Sequence, residues 1–235
     1  MLQEQTPLTV LKGVGPSIAA RLEALQLHTV QDLFFHLPLR YQDRTRLCPI
    51  GSCRIGTEAL VEGEVLATQV TFGRRRSMLC RIKDHSGVIS LRFFHFSAAQ
   101  KNGLSPGTRV RCYGEVRGGK TGLELYHPEY QFMQGSDAGE MPKFLTPVYP
   151  TTEGLQQTRL RGLIKQALAM LNVSISLKDW IPTSIREHLG FTTLAEAIIF
   201  LHNPPASDAL YSNLQALALG QHPCQRRLAF EELLS

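Results

Sequence analysis

The feature that most constrains the fold is a block of two-residue periodicity in the middle of the chain. From residue 57 onward, apolar and polar residues alternate in five runs, as they do in β-strands that bury one face. The connections between the runs are short, polar and rich in glycine, which is typical of turns. The pattern predicts strands at 58–70, 77–84, 87–96, 108–117 and 121–132.

A longer, helix-capable insert at 97–104 follows the third run. Five strands with such an insert match the layout of a five-stranded OB-fold barrel. In that fold the ligand surface comprises one face centred on strands two and three, and the loops joining strands one to two and four to five. Helical patterns flank this block, so the predicted class is a multidomain α+β protein. Its parts are a helical N-terminal hairpin at 1–53, the barrel at 54–133 and a helical linker region at 142–235.

The third predicted strand carries three phenylalanines within four positions, in the run VISLRFFHF at 88–96. If Ile89, Leu91 and Phe93 face the core, Phe94 and Phe96 point to the opposite face. Exposed rings in a basic segment can stack on unpaired bases, at roughly 1–3 kcal/mol per base. The alternative is a strand that curls at its end and has both faces covered. A shift of one residue would exchange the faces, so all three phenylalanines are candidates.

The positive charge of the chain is concentrated around this strand. The net charge is +5, and residues 54–130 contain 12 Lys and Arg against 7 Asp and Glu, whereas the remainder contains 13 of each. A localised basic surface is the expected footprint of a phosphate backbone, although a solvated face is an equal alternative on charge alone. The candidate phosphate contacts are Arg74, Arg75 and Arg76 in the first loop, Arg117 and Lys120 in the last loop, and Arg92 and Lys101.

The helical flank at 8–37 contains the string LKGVGPSIAARL, which is similar to a helix-hairpin-helix element. In such an element a glycine-rich turn presents backbone N–H groups to a DNA phosphate. Basic residues near the turn are few, namely Lys12 and Arg21. A packing role, in which the glycines let two helices approach closely, is the alternative.

Motifs of catalysis are absent from the sequence. It contains no GxxxxGK[ST] phosphate loop, nucleophile elbow or HExxH helix. The five cysteines form no CxxC pair, and Cys80 and Cys112 fall in strand-like runs, which indicates reduced core residues and no metal site. The apolar runs are too short for a membrane span and no signal segment opens the chain, so a cytoplasmic location without membrane contact is expected.

Several motifs, in order along nearly the whole chain, resemble the N-terminal region of the RecG family of bacterial branched-DNA helicases. They are LKGVGP at 11–16, TVQDLFFHLPLRYQDR at 29–44, DHSGVISLRFFHFS at 84–97, HPEY at 127–130, PVYPTTEGL at 147–155 and RRLAFEELL at 226–234.

The resemblance implies a wedge domain that splits strands at a replication fork or Holliday junction, with two downstream motor domains that use ATP and Mg²⁺. It implies no cofactor within this chain. Phe94 and Phe96 would cap the last paired bases, and the basic residues would hold the separated strands by their phosphates. The competing hypothesis from the sequence is a protein-interaction module whose exposed aromatics dock a partner peptide, such as the tail of a single-stranded-DNA-binding protein.

Overall fold

The computed structural model describes residues 5–72, 76–120, 122–133, 141–171, 173, 175, 177–206 and 210–233, with the side chains of 210–212 excepted. The predicted site residues Arg74 and Arg75 lie outside the described residues. The chain forms two compact units, one of Met1–Asp43 with Lys143–Ser235 and the other of Arg44–Pro142.

The unit Arg44–Pro142 is built on a six-stranded sheet. Its strands are β2 (Glu58–Thr71), β3 (Ser77–Lys83), β4 (Val88–Phe93), β5 (Arg109–Gly119), β6 (Gly122–Tyr126) and β7 (Glu129–Phe132), and helix α3 (Ala98–Gly103) follows β4. The strand order is β2-β3-β4-β6-β5-β7, and β2 also pairs with β5. Neighbours pair antiparallel except β4 and β6, which are parallel.

The sheet encloses an apolar core that the alternation correctly anticipates. Side chains from alternate positions of the strands are buried together, including Val61, Cys80, Ile82, Leu91 and Cys112. The structure divides the predicted strand 121–132 into two strands, because His127 adopts a positive φ of 46° and is followed by a proline. The sheet therefore has six strands where five are predicted.

The other unit is mainly helical. Its helices are α1 (Pro16–Glu23), α2 (Val30–Phe35), α4 (Gln157–Met170), α5 (Thr183–His188), α6 (Leu194–His202), α7 (Leu210–Ala218) and α8 (Pro223–Glu232), and the short strands β1 (Arg40–Gln42) and β8 (Thr146–Val148) pair antiparallel. Buried residues from both ends of the chain, such as Leu22, Phe34 and Leu160, share one core. The N-terminal and C-terminal helical segments, which are predicted as separate regions, thus pack together.

Local signals define several helix ends. Thr29 caps α2 in a reciprocal arrangement with Asp32, and Thr193 and Glu196 do the same for α6. Within the described parts of the chain, no helix has the length and apolar character needed to cross a membrane.

The glycine-rich turn before α1 is occupied by protein contacts. Gly13 has a φ of +92°, and its carbonyl accepts a hydrogen bond from Arg159 Nη1 at 3.1 Å. The Lys12 N–H donates to Gln166 Oε1 at 2.8 Å, and Gln166 Nε2 donates back to the Lys12 carbonyl at 3.2 Å. Arg159 and Gln166 both belong to α4. The structure therefore favours the packing role of this turn over phosphate binding.

Candidate nucleic-acid interface

Strand β4 has the inward phase expected from its sequence. Ile89, Leu91 and Phe93 are buried, with 1%, 0% and 3% of their surfaces exposed, whereas Val88 is 42% exposed. The Phe93 ring contacts Tyr130 inside the core, at 5.8 Å between ring centroids. A base cannot stack on Phe93 unless this core opens. The inclusion of Phe93 among the predicted DNA contacts is therefore corrected.

Phe94 is the first residue after β4, and its ring is half-buried in a small aromatic cluster. The ring meets Tyr126, the last residue of β6, edge to face at 5.8 Å. It also lies 5.5 Å from the ring of His127, which in turn stacks on His95 at 6.1 Å. Because β4 and β6 run parallel in the register Arg92↔Tyr126, the ends of the two strands bring these rings together.

His127 fixes the position of Phe94. Its Nε2 accepts a hydrogen bond from the backbone N–H of Phe94 at 3.1 Å, and its own backbone N–H donates to the Arg92 carbonyl at 2.8 Å. Partial burial, aided by the nearby His95, lowers the pKa of His127. The ring is therefore neutral near pH 7 and adds an uncharged flat surface beside Phe94.

Phe96 differs from its predicted orientation. Strand β4 ends at Phe93, so the alternation no longer applies, and the Phe96 ring packs partly against the core. Its remaining face is covered by the guanidinium of Arg76, whose Cζ lies 4.8 Å from the ring centroid. Phe96 thus orients Arg76 and presents less open ring surface than a free stacking residue.

Arg92 is engaged by other protein groups. Its Nε and Nη2 each donate to Glu124 at 2.6 Å, and its Nη1 donates to Ser77 Oγ at 3.1 Å. Glu124 is fully buried and the Arg92 side chain is 20% exposed. The hydrogen bonds to Glu124, together with the charge of its carboxylate, raise the pKa of Arg92. A phosphate would have to compete with a buried carboxylate for this guanidinium.

The remaining predicted cations lie at different places on the unit. Arg117 places its Cζ 5.3 Å from the Tyr126 ring centroid and forms an exposed ion pair with Glu115 at 2.8 Å. Lys120 is exposed at the turn before β6, whereas Tyr126 ends that strand, so the two lie at opposite ends of β6. Lys101 is exposed on α3.

The structure therefore groups Arg117 with Phe94 through the ring of Tyr126 and pairs Arg76 with Phe96, and it adds three residues that were not predicted from the sequence. Tyr126 and His127 complete the aromatic cluster, and Phe72 lies exposed at the end of β2. The sequence signal for Tyr126 and His127 is the run YHPEY at 126–130, in which an aromatic residue ends a strand and a proline follows two positions later. No group of three or more metal-ligating side chains occurs among the residues that the structure describes.

Fold and site define an α+β protein in which a basic β-sheet unit presents an aromatic cluster at one end of its strands. Comparison with known families matches the RecG wedge domain to residues 7–171. The chain belongs to the RecG wedge-domain family.

Individual relatives agree with this assignment. The ATP-dependent DNA helicase RecG of Escherichia coli (strain K12) is 48% identical over 234 residues, which is 100% of this chain and 33% of that protein. The protein of the same name from Pasteurella multocida is 44% identical over 232 residues, or 99% of this chain and 32% of that protein. The chain thus spans about a third of the length of the curated relatives that it matches.

A solved structure has the same fold. The structure of RecG bound to a three-way DNA junction matches 92% of this chain and 29% of that chain, with a TM-score of 0.71. The sequence identity over this match is 21%, so the comparison establishes the shared fold.

Proposed function

We propose that this chain is the branched-DNA-binding module of a RecG-type ATP-dependent DNA helicase that acts in recombination, repair and fork reversal. The observation that carries the proposal is the Phe94 cluster, in which the half-buried Phe94 ring meets Tyr126 and His127, and the guanidinium of Arg117 lies over Tyr126. A second ring with a cation, Phe96 with Arg76, follows two residues later, and both groups fall within the region that matches the wedge-domain family. The RecG protein of the matching structure is bound to a three-way DNA junction. We extend that substrate class to this chain.

In this proposal Phe94 stacks on the last base pair of an arm, or on the first base beyond it, at the branch point. His127 and Tyr126 hold the ring in place, so little side-chain freedom is lost on binding. Arg76 and Arg117, oriented by the rings of Phe96 and Tyr126, contact phosphates of the separated strands. Such contacts position the DNA without reading its sequence, which suits recognition of branch shape.

The DNA-binding module comprises residues 54–133, and we propose that it is a barrel of the OB type. Support for a barrel comes from β2, which pairs with both β3 and β5 and so connects the strands in a closed cycle. ATP and Mg²⁺ would be used by motor domains elsewhere in a longer protein, because the curated relatives are ATP-dependent helicases about three times the length of this chain.

The test is a titration of a labelled three-way junction, and of a duplex of equal length, with the chain and with Phe94→Ala. Loss of one base stack, at roughly 1–3 kcal/mol, predicts about five-fold to a hundred-fold weaker junction binding. Duplex binding should change little. Phe132→Ala is the matched control, since Phe132 is 43% exposed on β7 and contacts Tyr130 outside the Phe94 cluster.

The proposal is overturned if Phe94→Ala binds junction and duplex as the unmodified chain does while circular dichroism shows an intact fold. An absence of any DNA binding at low salt would instead favour the protein-interaction module. A partner such as the tail of a single-stranded-DNA-binding protein would then be the ligand to test.

A further inference from the structure

Phe72 is the most exposed phenylalanine in the described part of the chain, with 84% of its surface accessible. It directly follows β2 at the tip of the hairpin formed by β2 and β3. A single exposed apolar side chain needs no explanation by itself. Three further observations distinguish this one.

The first observation is the reach of the hairpin. Strand β2 pairs with β5 only as far as Glu64↔Arg109, but it continues to pair with β3 as far as Thr71↔Ser77. Strand β4 ends at Phe93, which is opposite Met78 of β3. The last residue pair of the hairpin, Thr71 and Ser77, therefore lies beyond the end of β4, at the same end of the sheet as the Phe94 cluster.

The second observation is a hydrogen-bonded brace beneath the tip. Thr71, the residue before Phe72, places its Oγ1 2.8 Å from Ser77 Oγ. The same Ser77 hydroxyl accepts from Arg92 Nη1, and Arg92 is held by both carboxylate oxygens of the buried Glu124. A buried ion pair contributes more to a defined geometry than to stability in several known proteins. Here the pair of Arg92 and Glu124, through Ser77, connects the end of the hairpin to β4 and β6.

The third observation is a cation at the same tip. Arg76 immediately precedes β3, and its guanidinium lies over Phe96, which follows β4. The hairpin therefore carries an exposed aromatic ring where β2 ends and a guanidinium, held over Phe96, where β3 begins. An aromatic ring for a base and a cation for a phosphate are the two elements of single-strand recognition.

We propose that Phe72 is a second base-stacking residue of this interface, and that it takes an unpaired base other than the one at Phe94. Phe72 is positioned by the hydrogen bonds that hold the hairpin against β4, which connect Glu124 to Arg92, Arg92 to Ser77 and Ser77 to Thr71. This inference rests on the proposed function, since it names a further contact with the same branched DNA.

The test uses a three-way junction with 5-iododeoxyuridine at the unpaired positions next to the branch, which crosslinks under light to aromatic rings stacked on it. Trypsin separates the two candidate sites, because Phe72 lies in the peptide 55–74 and Phe94 in the peptide 93–101. The expected result is a crosslink in each peptide from different labelled positions. Phe72→Ala should abolish the first crosslink and weaken junction binding about ten-fold, within the range of one stack.

Phe72→Tyr, which keeps the ring, should bind the junction within about two-fold of the unmodified chain, and Phe132→Ala again serves as the aromatic control. The inference is overturned if Phe72→Ala binds as the unmodified chain does and peptide 55–74 carries no crosslink, while Phe94→Ala is weakened. Failure of the unmodified chain to bind the junction would overturn the proposed function instead, so the two failures are distinguishable.

Discussion

The buried pair of Arg92 and Glu124 offers a direct test of the electrostatics beneath the interface. Replacement of Arg92 by Met keeps the aliphatic stem but leaves the Glu124 carboxylate, which is 0% exposed, without its two hydrogen bonds of 2.6 Å. Removal of one partner of a buried pair typically costs about 3–5 kcal/mol. Because the Arg92 side chain is 20% exposed, water can partly reach the site, and the lower end, about 3 kcal/mol, is expected.

The assay is urea unfolding followed by far-UV circular dichroism for three variants. Arg92→Met should lose about 3 kcal/mol, and Arg92→Met/Glu124→Leu should recover at least half of that loss, because no buried charge remains. Arg117→Met is the matched control. Its ion pair with Glu115 is about half exposed on both sides, so its loss should cost under about 1 kcal/mol.

Equal losses for Arg92→Met and Arg117→Met would refute the reasoning. A double variant as unstable as Arg92→Met alone would also contradict it, because the cost could then not come from an unpaired carboxylate.

Three further predictions concern pH, backbone strain and salt. Burial lowers the pKa of His202 to about 4, and its ring accepts from Tyr149 Oη and donates to the Phe34 carbonyl. In the unfolded chain the His202 ring binds a proton near pH 6.5, whereas in the folded chain it stays neutral down to about pH 4. The free energy of unfolding should therefore fall by up to about 3 kcal/mol as the pH is lowered from 6.5 to 4. Urea unfolding at a series of pH values measures this loss, and His202→Gln should make it smaller. Gly13→Ala should lower the free energy of unfolding by roughly 1–2 kcal/mol, because φ is +92° and a Cβ would lie 3.1 Å from Arg159 Nη1. Gly162→Ala is the contrasting variant, because a Cβ at this position of α4 meets no atom within 4 Å. It should raise the free energy of unfolding by roughly 0.5–1 kcal/mol in the same urea assay. Arg76→Ala should reduce the slope of log Kd against log salt for junction binding by about 0.7–0.9, the value of one phosphate contact; an unchanged slope would remove Arg76 from the interface.

Much of the sheet could be predicted from the sequence because burial on one face imposes a local rule. Alternation predicts Ile89, Leu91 and Phe93 as one of two possible inward sets, and the cap of α2 depends on Thr29 and Asp32, three positions apart. Both signals involve residues a few positions apart. The orientation of Phe96 was not predictable in this way, because alternation stops where β4 stops.

The interface depends on contacts between residues that are distant in sequence. Arg92 was a candidate phosphate ligand in the sequence, but Glu124, 32 positions away, occupies its guanidinium. The parallel register of β4 and β6 places Tyr126 and His127 beside Phe94, and no local pattern specifies that register. The same holds for the helices at the two ends of the chain, whose shared core joins residues more than a hundred positions apart.

The central claim, that this chain recognises branched DNA, is tested most directly by the ratio of its Kd for a duplex to its Kd for a three-way junction of the same sequence and length. The ratio should be measured at a low and a physiological salt concentration. We expect tighter binding of the junction at both salt concentrations, because stacking at a branch has no counterpart on an intact duplex, and weaker absolute binding at the higher salt. Equal affinities for junction and duplex at both salt concentrations would contradict it.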